Sequence, residues 1–118
     1  MSKQTIFLIV ALLAFAAWRF TKARRSPEQL ALMRTAVQAD GLLVDVRSPG
    51  EFSSGHAPEA VNIPVGQLSS RLGELGDKDR AIIVCCASGA RSASARRMLL
   101  DQGFSNVMDL GPWQNWNK

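Results

Sequence analysis

The residue types best suited to chemistry gather around Cys86. It closes the apolar run Ala81-Ile82-Ile83-Val84-Cys85-Cys86, and four small residues, Ala87, Ser88, Gly89 and Ala90, separate it from Arg91 and Ser92. The thiolate is the nucleophilic form of cysteine. A strand leading through a short loop into a helix sets that sulfur at the positive end of the helix dipole, where negative charge is favoured. Small residues let successive backbone N–H groups curl into a nest around an anionic sulfur, and Gly89 supplies a positive φ where the loop needs one. Arg91 adds a fixed positive charge at the mouth. A lone free cysteine is ordinarily core filler. Here the order strand, cysteine, small loop, arginine, helix argues for a nucleophile instead.

The neighbours divide by geometry. Side chains alternate along a strand, so Cys85 is expected to face away from Cys86 into packed core. Adjacent Cα atoms lie about 3.8 Å apart, below the usual disulfide span of about 4.4–6.8 Å, so a Cys85–Cys86 bridge would be strained. Cys85 is therefore read as filler, with a redox role protecting Cys86 as the alternative. His56, the only histidine, could pair with a cysteine nucleophile, but its setting suits a structural turn better. Asp45 and Arg47 end another apolar run near the presumed site and are read as supports of the loop, with an Arg47–Glu51 ion pair expected. Trp113 and Trp116 are read as packing. No metal ligand set and no cofactor motif is read from the sequence.

The elements that must hold this loop are legible in outline. Ser26-Pro27-Glu28-Gln29 is a helix start, with Ser26 as cap, Pro27 in the first turn and Gln29 completing a capping box. Leu30, Met33 and Val37 recur at helical spacing, and Gly41 ends the helix. Residues 42–46, apolar except for Asp45, are a run too short for a helix, which predicts a buried parallel strand. A turn-rich loop follows over 48–55, then a short strand over 60–64. Leu68, Leu72 and Leu75 predict an amphipathic helix closed by Gly76. Residues 81–86 form the second buried strand, 91–102 a helix ended by Gly103, and 106–110 a last strand. Strands alternating with helices at this pitch mean an α/β fold built on an open parallel sheet.

Four ordered motifs resemble those of the single-domain rhodaneses, the thiosulfate sulfurtransferase family. Cys86-Ala87-Ser88-Gly89-Ala90-Arg91-Ser92 is similar to its C-x-x-G-x-R-S active-site loop. Asp45-Val46-Arg47, Glu51-Phe52, Gly55-His56 and Ala60-Val61-Asn62-Ile63-Pro64 resemble its upstream block. Gly103-Phe104 with Asn106-Val107, and Gly111-Pro112-Trp113 through Trp116, resemble its closing segments. The likeness covers about residues 27–116. It implies a rhodanese-like sheet flanked by helices, with Cys86 taking a sulfane sulfur from a donor such as thiosulfate and passing it from a persulfide to a thiol or other nucleophile. Residues 87–92 would bind the transferred sulfur. The chain departs from the pattern in lacking the family's initial strand, in Pro112 for a glycine, and in Ala57 for the usual isoleucine.

Charge places the remaining expectations. Residues 1–25 carry five Lys+Arg and no acid, while 26–118 carry nine Lys+Arg against ten Asp+Glu, so the net +4 belongs to the leader. The domain shows no basic face for nucleic acid. Residues 1–25 are thus set apart from a domain over 26–118. Ile6 to Trp18 is apolar throughout, and a membrane segment over residues 3–22 is expected, with Lys3 and Lys22 at the interfaces and Trp18 and Phe20 beside them. The basic flank Arg19, Lys22, Arg24 and Arg25 places the domain in the cytoplasm by the positive-inside rule. Export to the periplasm after cleavage near Ala16 is the alternative.

Two rival functions remain. A phosphatase or arsenate reductase uses a related loop with five residues between cysteine and arginine; four intervene here. A membrane-held binding or regulatory module with little turnover would have no need of the cysteine. Oligomeric state is not legible.

Overall fold

The computed structural model describes residues 2–23 and 25–117, with the side chains of 17–23 outside the description. Four strands form one parallel sheet in the order β2-β1-β3-β4. They are β1 (Leu42–Asp45), β2 (Val61–Asn62), β3 (Ile82–Cys86) and β4 (Val107–Pro112). The register sets Asp45 beside Cys85 and Cys86 beside Pro112, with an irregularity at Val84/Cys85. Parallel strands covered on both faces need apolar residues at every position, and β3 is buried along its whole length.

Strand alternation divides the core in two. Val44, Val46, Ile82, Val84 and Cys86 face a cluster with Leu68, Leu75, Leu99 and Phe104. Leu43, Ile83 and Cys85 face the other side, against Leu30, Met33, Leu110 and Trp116. The helices covering these faces are α2 (Pro27–Gln38) and α4 (Ala90–Asp101). Each fully buried Leu or Ile here contributes roughly 1.5–3 kcal/mol of transfer free energy. The expected capping box of α2 forms, with Ser26 and Gln29 each accepting from the other's backbone N–H.

Three elements differ from expectation. The stretch over 48–55 contains a short helix, α3 (Pro49–Ser53), whose N-terminus carries a second capping box from Ser48 and Glu51. The Leu68–Leu75 segment forms two 3-10 turns, Val65–Ser70 and Leu72–Leu75, and not one α-helix. Gly66 and Gly73 weaken an α-helix, and short 3-10 pieces still present Leu68 and Leu75 to the core. At the end of α2 the left-handed residue is Asp40, at φ 89°. Gly41 is required for closeness: a Cβ there would lie 2.5 Å from the Ala36 carbonyl oxygen.

The N-terminal segment corrects the sequence reading. Lys3–Ala23 is helical as α1, yet among the described residues no helix is long and apolar enough to cross a membrane. The unbroken apolar run is 13 residues, Ile6 to Trp18, which rises about 20 Å against a hydrocarbon core of about 30 Å. This overturns the single-pass anchor over residues 3–22 and the cytoplasmic localisation argued from it. The exported alternative, with cleavage near Ala16, rests on the same run and is dropped with it. The interfacial roles expected of Trp18, Arg19, Phe20, Lys22 and Arg24 lie outside the described residues.

Candidate active site

Cys86 ends β3, and its Sγ is enclosed by the turn that starts α4. Gly89 donates its N–H to Sγ at 3.0 Å and Ser92 donates its N–H at 3.3 Å. Gly89 sits at φ 106°, a conformation that costs a residue with Cβ free energy and that aims this N–H back at the sulfur. The Ser92 hydroxyl lies 3.4 Å from Sγ and donates to the Gly89 carbonyl at 3.1 Å. Ser92 and Cys86 have no exposed surface, whereas Ala87, Ser88 and Ala90 are exposed. Two convergent N–H donors at a helix start are the complement of an anionic sulfur.

Arg91 points to a partner that its position in the chain does not reveal. Its Nη1 and Nη2 donate to the two carboxylate oxygens of Glu51 on α3, at 2.7 and 2.9 Å. The expected Arg47–Glu51 pair does not form. Arg47 instead grips Asp45 through Nε and Nη2, at 3.0 and 2.7 Å, and donates from Nη2 to the Gly55 carbonyl at 2.7 Å. Its guanidinium also lies 4.9 Å from the centroid of Trp113. Asn62 donates to the carbonyls of Asp45 and Arg47, both at 2.9 Å. Asp45 and Arg47 are both buried, so they brace the chain leaving β1, beside the sulfur-bearing strand.

His56 lies just past the end of α3 and packs back on it: its Nδ1 is 2.8 Å from the Phe52 carbonyl and its ring stacks on Phe52 at 3.7 Å. Trp116 is buried and donates from Nε1 to Glu59. Cys85 lies in the opposite core cluster from Cys86, and both thiols are free. Burial pushes the Cys85 thiol well up, and the nearby Asp45 charge adds to it, which keeps Cys85 protonated and unreactive.

Glu51 is the residue whose partner sequence reasoning misplaced. The Arg91 guanidinium, then the Ser48 backbone N–H and hydroxyl, hold its carboxyl down at about 2 from an ordinary 4.5. A lowered carboxyl pKa stabilises the fold above the ordinary value and loses that contribution as pH falls toward 2. The Glu51 side-chain carbon resonance in a pH titration should therefore stay in its ionised position through pH 4. A midpoint near 4.5 would show the pair to be absent in solution.

Comparisons with known proteins bear on the fold and the family. The Rhodanese-like domain family matches residues 26–118. A sulfurtransferase of Allochromatium vinosum is 40% identical over 77 residues, covering 65% of this chain and 71% of that protein. Thiosulfate sulfurtransferase GlpE of Pseudomonas syringae pv. syringae is 35% identical over 94 residues, covering 79% and 85%. Among solved structures, reduced Bacillus anthracis CoADR-RHD aligns with a TM-score of 0.63 at 31% identity, over 74% of this chain and 15% of that one. The present chain thus spans a small part of that larger protein. Its relatives support a general role in sulfur transfer, and the chain belongs to the rhodanese-like domain family.

Proposed function

We propose that the chain is a sulfurtransferase that carries a sulfane sulfur as a persulfide on Cys86. In the first half-reaction Sγ attacks the sulfane sulfur of a donor such as thiosulfate. A new S–S bond forms, the donor's own bond to that sulfur breaks, and its electron pair leaves with the departing group, sulfite in the case of thiosulfate. In the second half-reaction an acceptor thiolate attacks the outer sulfur and the S–S bond to Sγ breaks. The electron pair returns to Sγ, where the N–H groups of Gly89 and Ser92 receive the charge. Ala87, Ser88, Ala90 and Arg91 form the rim past which donor and acceptor approach. The observation that carries the reading is the pair of N–H donors converging on Cys86 Sγ. Because Cys86 has no exposed surface in this conformation, loading requires the loop to yield, and its small residues permit that.

Steady-state turnover tests the reading against a binding module. Purified protein supplied with a sulfane donor and a thiol acceptor should release donor product over many cycles. Tight partner binding with no turnover would favour the module.

Loop size offers a second check. Inserting one glycine between Ser88 and Gly89 displaces the Gly89 N–H from Sγ. The rate should fall by about a hundredfold, the scale of losing one preorganised donor to a developing anion. An insertion variant that folds and turns over undiminished would show that loop length does not matter.

A further inference from the structure

Arg25 stands just before α2, outside the residues 26–118 that match the family. The charge pattern groups it with a basic flank, but the structure folds it onto β4, 84 positions away. Its Nε–H donates to the Asp109 carbonyl at 2.7 Å, and its Nη2 lies 3.8 Å from the Asp109 carboxylate, with both side chains largely buried. The place it grips is irregular. Val84 pairs with Asp109 but Cys85 pairs with Gly111, so Leu110 is an extra residue on β4, a β-bulge. The ladder is interrupted there, and its polar backbone groups need other partners. Side chains supply them. The Asp109 carboxylate accepts the Gly111 N–H at 2.9 Å, buried Asn115 donates to the Leu110 carbonyl at 3.1 Å, and Arg25 takes the Asp109 carbonyl.

The bulge lies against the turn that holds the sulfur. It sets Gly111 beside Cys85 and Pro112 beside Cys86. Gly111, at φ 75°, is covered by the Arg25 guanidinium: a Cβ there would lie 3.5 Å from Nη2. A Cβ on Gly89 would lie 4.0 Å from the Gly111 Cα, so the two glycines are neighbours. Gly89 in turn donates the N–H that meets Sγ at 3.0 Å. We infer that Arg25 is a positioning residue for Cys86: by pinning the bulge it fixes Gly111 as the backing of Gly89, which keeps the Gly89 N–H aimed at the sulfur. The inference rests on the sulfur-transfer reading above and deepens it by giving the segment before the domain a part in the site. Because Arg25 is matched by Asp109, its part is to hold backbone in place and not to attract the donor.

The test uses the full chain as wild type, Arg25→Ala and Arg25→Lys. Two quantities are measured: single-turnover loading of Cys86 by thiosulfate, at low and high salt, and hydrogen exchange of the Gly89 amide against that of Leu99 in the core of α4. Arg25→Ala should lower the maximal loading rate by about tenfold, the scale of a reacting group displaced by a fraction of an ångström. The half-saturating thiosulfate concentration should stay within about twofold, at both salts. Exchange at Gly89 should speed by about tenfold while Leu99 is unchanged, a local loosening and not a loss of fold. Arg25→Lys, whose ammonium reaches the same carbonyl and carboxylate as a point charge, should recover the rate to within about threefold of wild type. An Arg25→Ala variant with wild-type loading and wild-type Gly89 exchange would overturn the inference. So would a rise in half-saturation alone that salt erases, which marks charge attraction, or equal speeding at Gly89 and Leu99, which marks general destabilisation. If Arg25→Ala does not fold, Asp109→Asn takes its place with the same directions expected, since it keeps an oxygen for the Gly111 N–H and loses the charge facing Arg25. Failure of wild type to load from any donor would instead refute the sulfur-transfer reading, and Gly89 exchange would still decide the role of Arg25.

Discussion

Cys86→Ser is expected to lower sulfur transfer by at least about a thousandfold, while Cys85→Ala keeps most of the rate. A serine hydroxyl is far too weak an acid to supply the anion, and oxygen cannot hold the transferred sulfur as a persulfide. The two positions are adjacent in sequence but opposite in environment. Cys86 Sγ receives two N–H donors at the start of α4. Cys85 packs against Leu43, Ile83 and Leu110 on the far side of the sheet. Removing its sulfur should cost about 1 kcal/mol of stability and should not touch the reaction. Rates and circular dichroism measured together separate lost chemistry from lost fold. Equal loss of activity in two folded variants would refute the assignment of Cys86.

The second large effect is on stability. Asp45→Ala should destabilise the domain by about 3–5 kcal/mol, because it leaves the Arg47 guanidinium buried without its charge partner. Domains of this size have only about 5–15 kcal/mol in total, so activity at 37 °C should fall with the folded population. The exposed Arg71–Glu74 pair is the control. Breaking it with Arg71→Ala should cost less than about 1 kcal/mol despite a similarly short contact, since water and salt screen it. Denaturant unfolding measures both. An Asp45→Ala variant within 1 kcal/mol of wild type would show that Arg47 finds solvent or another partner, and that the brace at the end of β1 is dispensable.

Local features of the sequence translated directly into structure. The capping box at Ser26, the positive φ of Gly89 and the opposed faces of Cys85 and Cys86 each depend on residues within a turn or a strand. Partner choice among charges did not translate, because it is tertiary. Arg47 and Glu51 are four apart, a spacing that pairs side chains only inside a helix. Arg47 precedes α3, and its reach is taken by Asp45 two residues back. Glu51 meets Arg91 across forty positions of sequence, a contact that only the folding of α3 beside α4 creates. The helix α3 itself was obscured by Gly50, Ser53 and Ser54, which suit turns, although Ser48 and Glu51 hold the spacing of a capping box. At the N-terminus the apolar run and its shortness were both legible in the sequence; the reading failed in counting the polar flanks from Lys3 to Lys22 toward a span.

The most direct test of the account is the intact mass of the full chain after brief exposure to a sulfane donor and removal of the excess. Wild type should gain the mass of one sulfur atom, with the adduct mapped to Cys86, and an acceptor thiol should strip it within the turnover time. Cys86→Ser should gain nothing. A sulfur found on Cys85, retained in Cys86→Ser, or never acquired from any donor would contradict a persulfide carried in the Gly89–Ser92 nest.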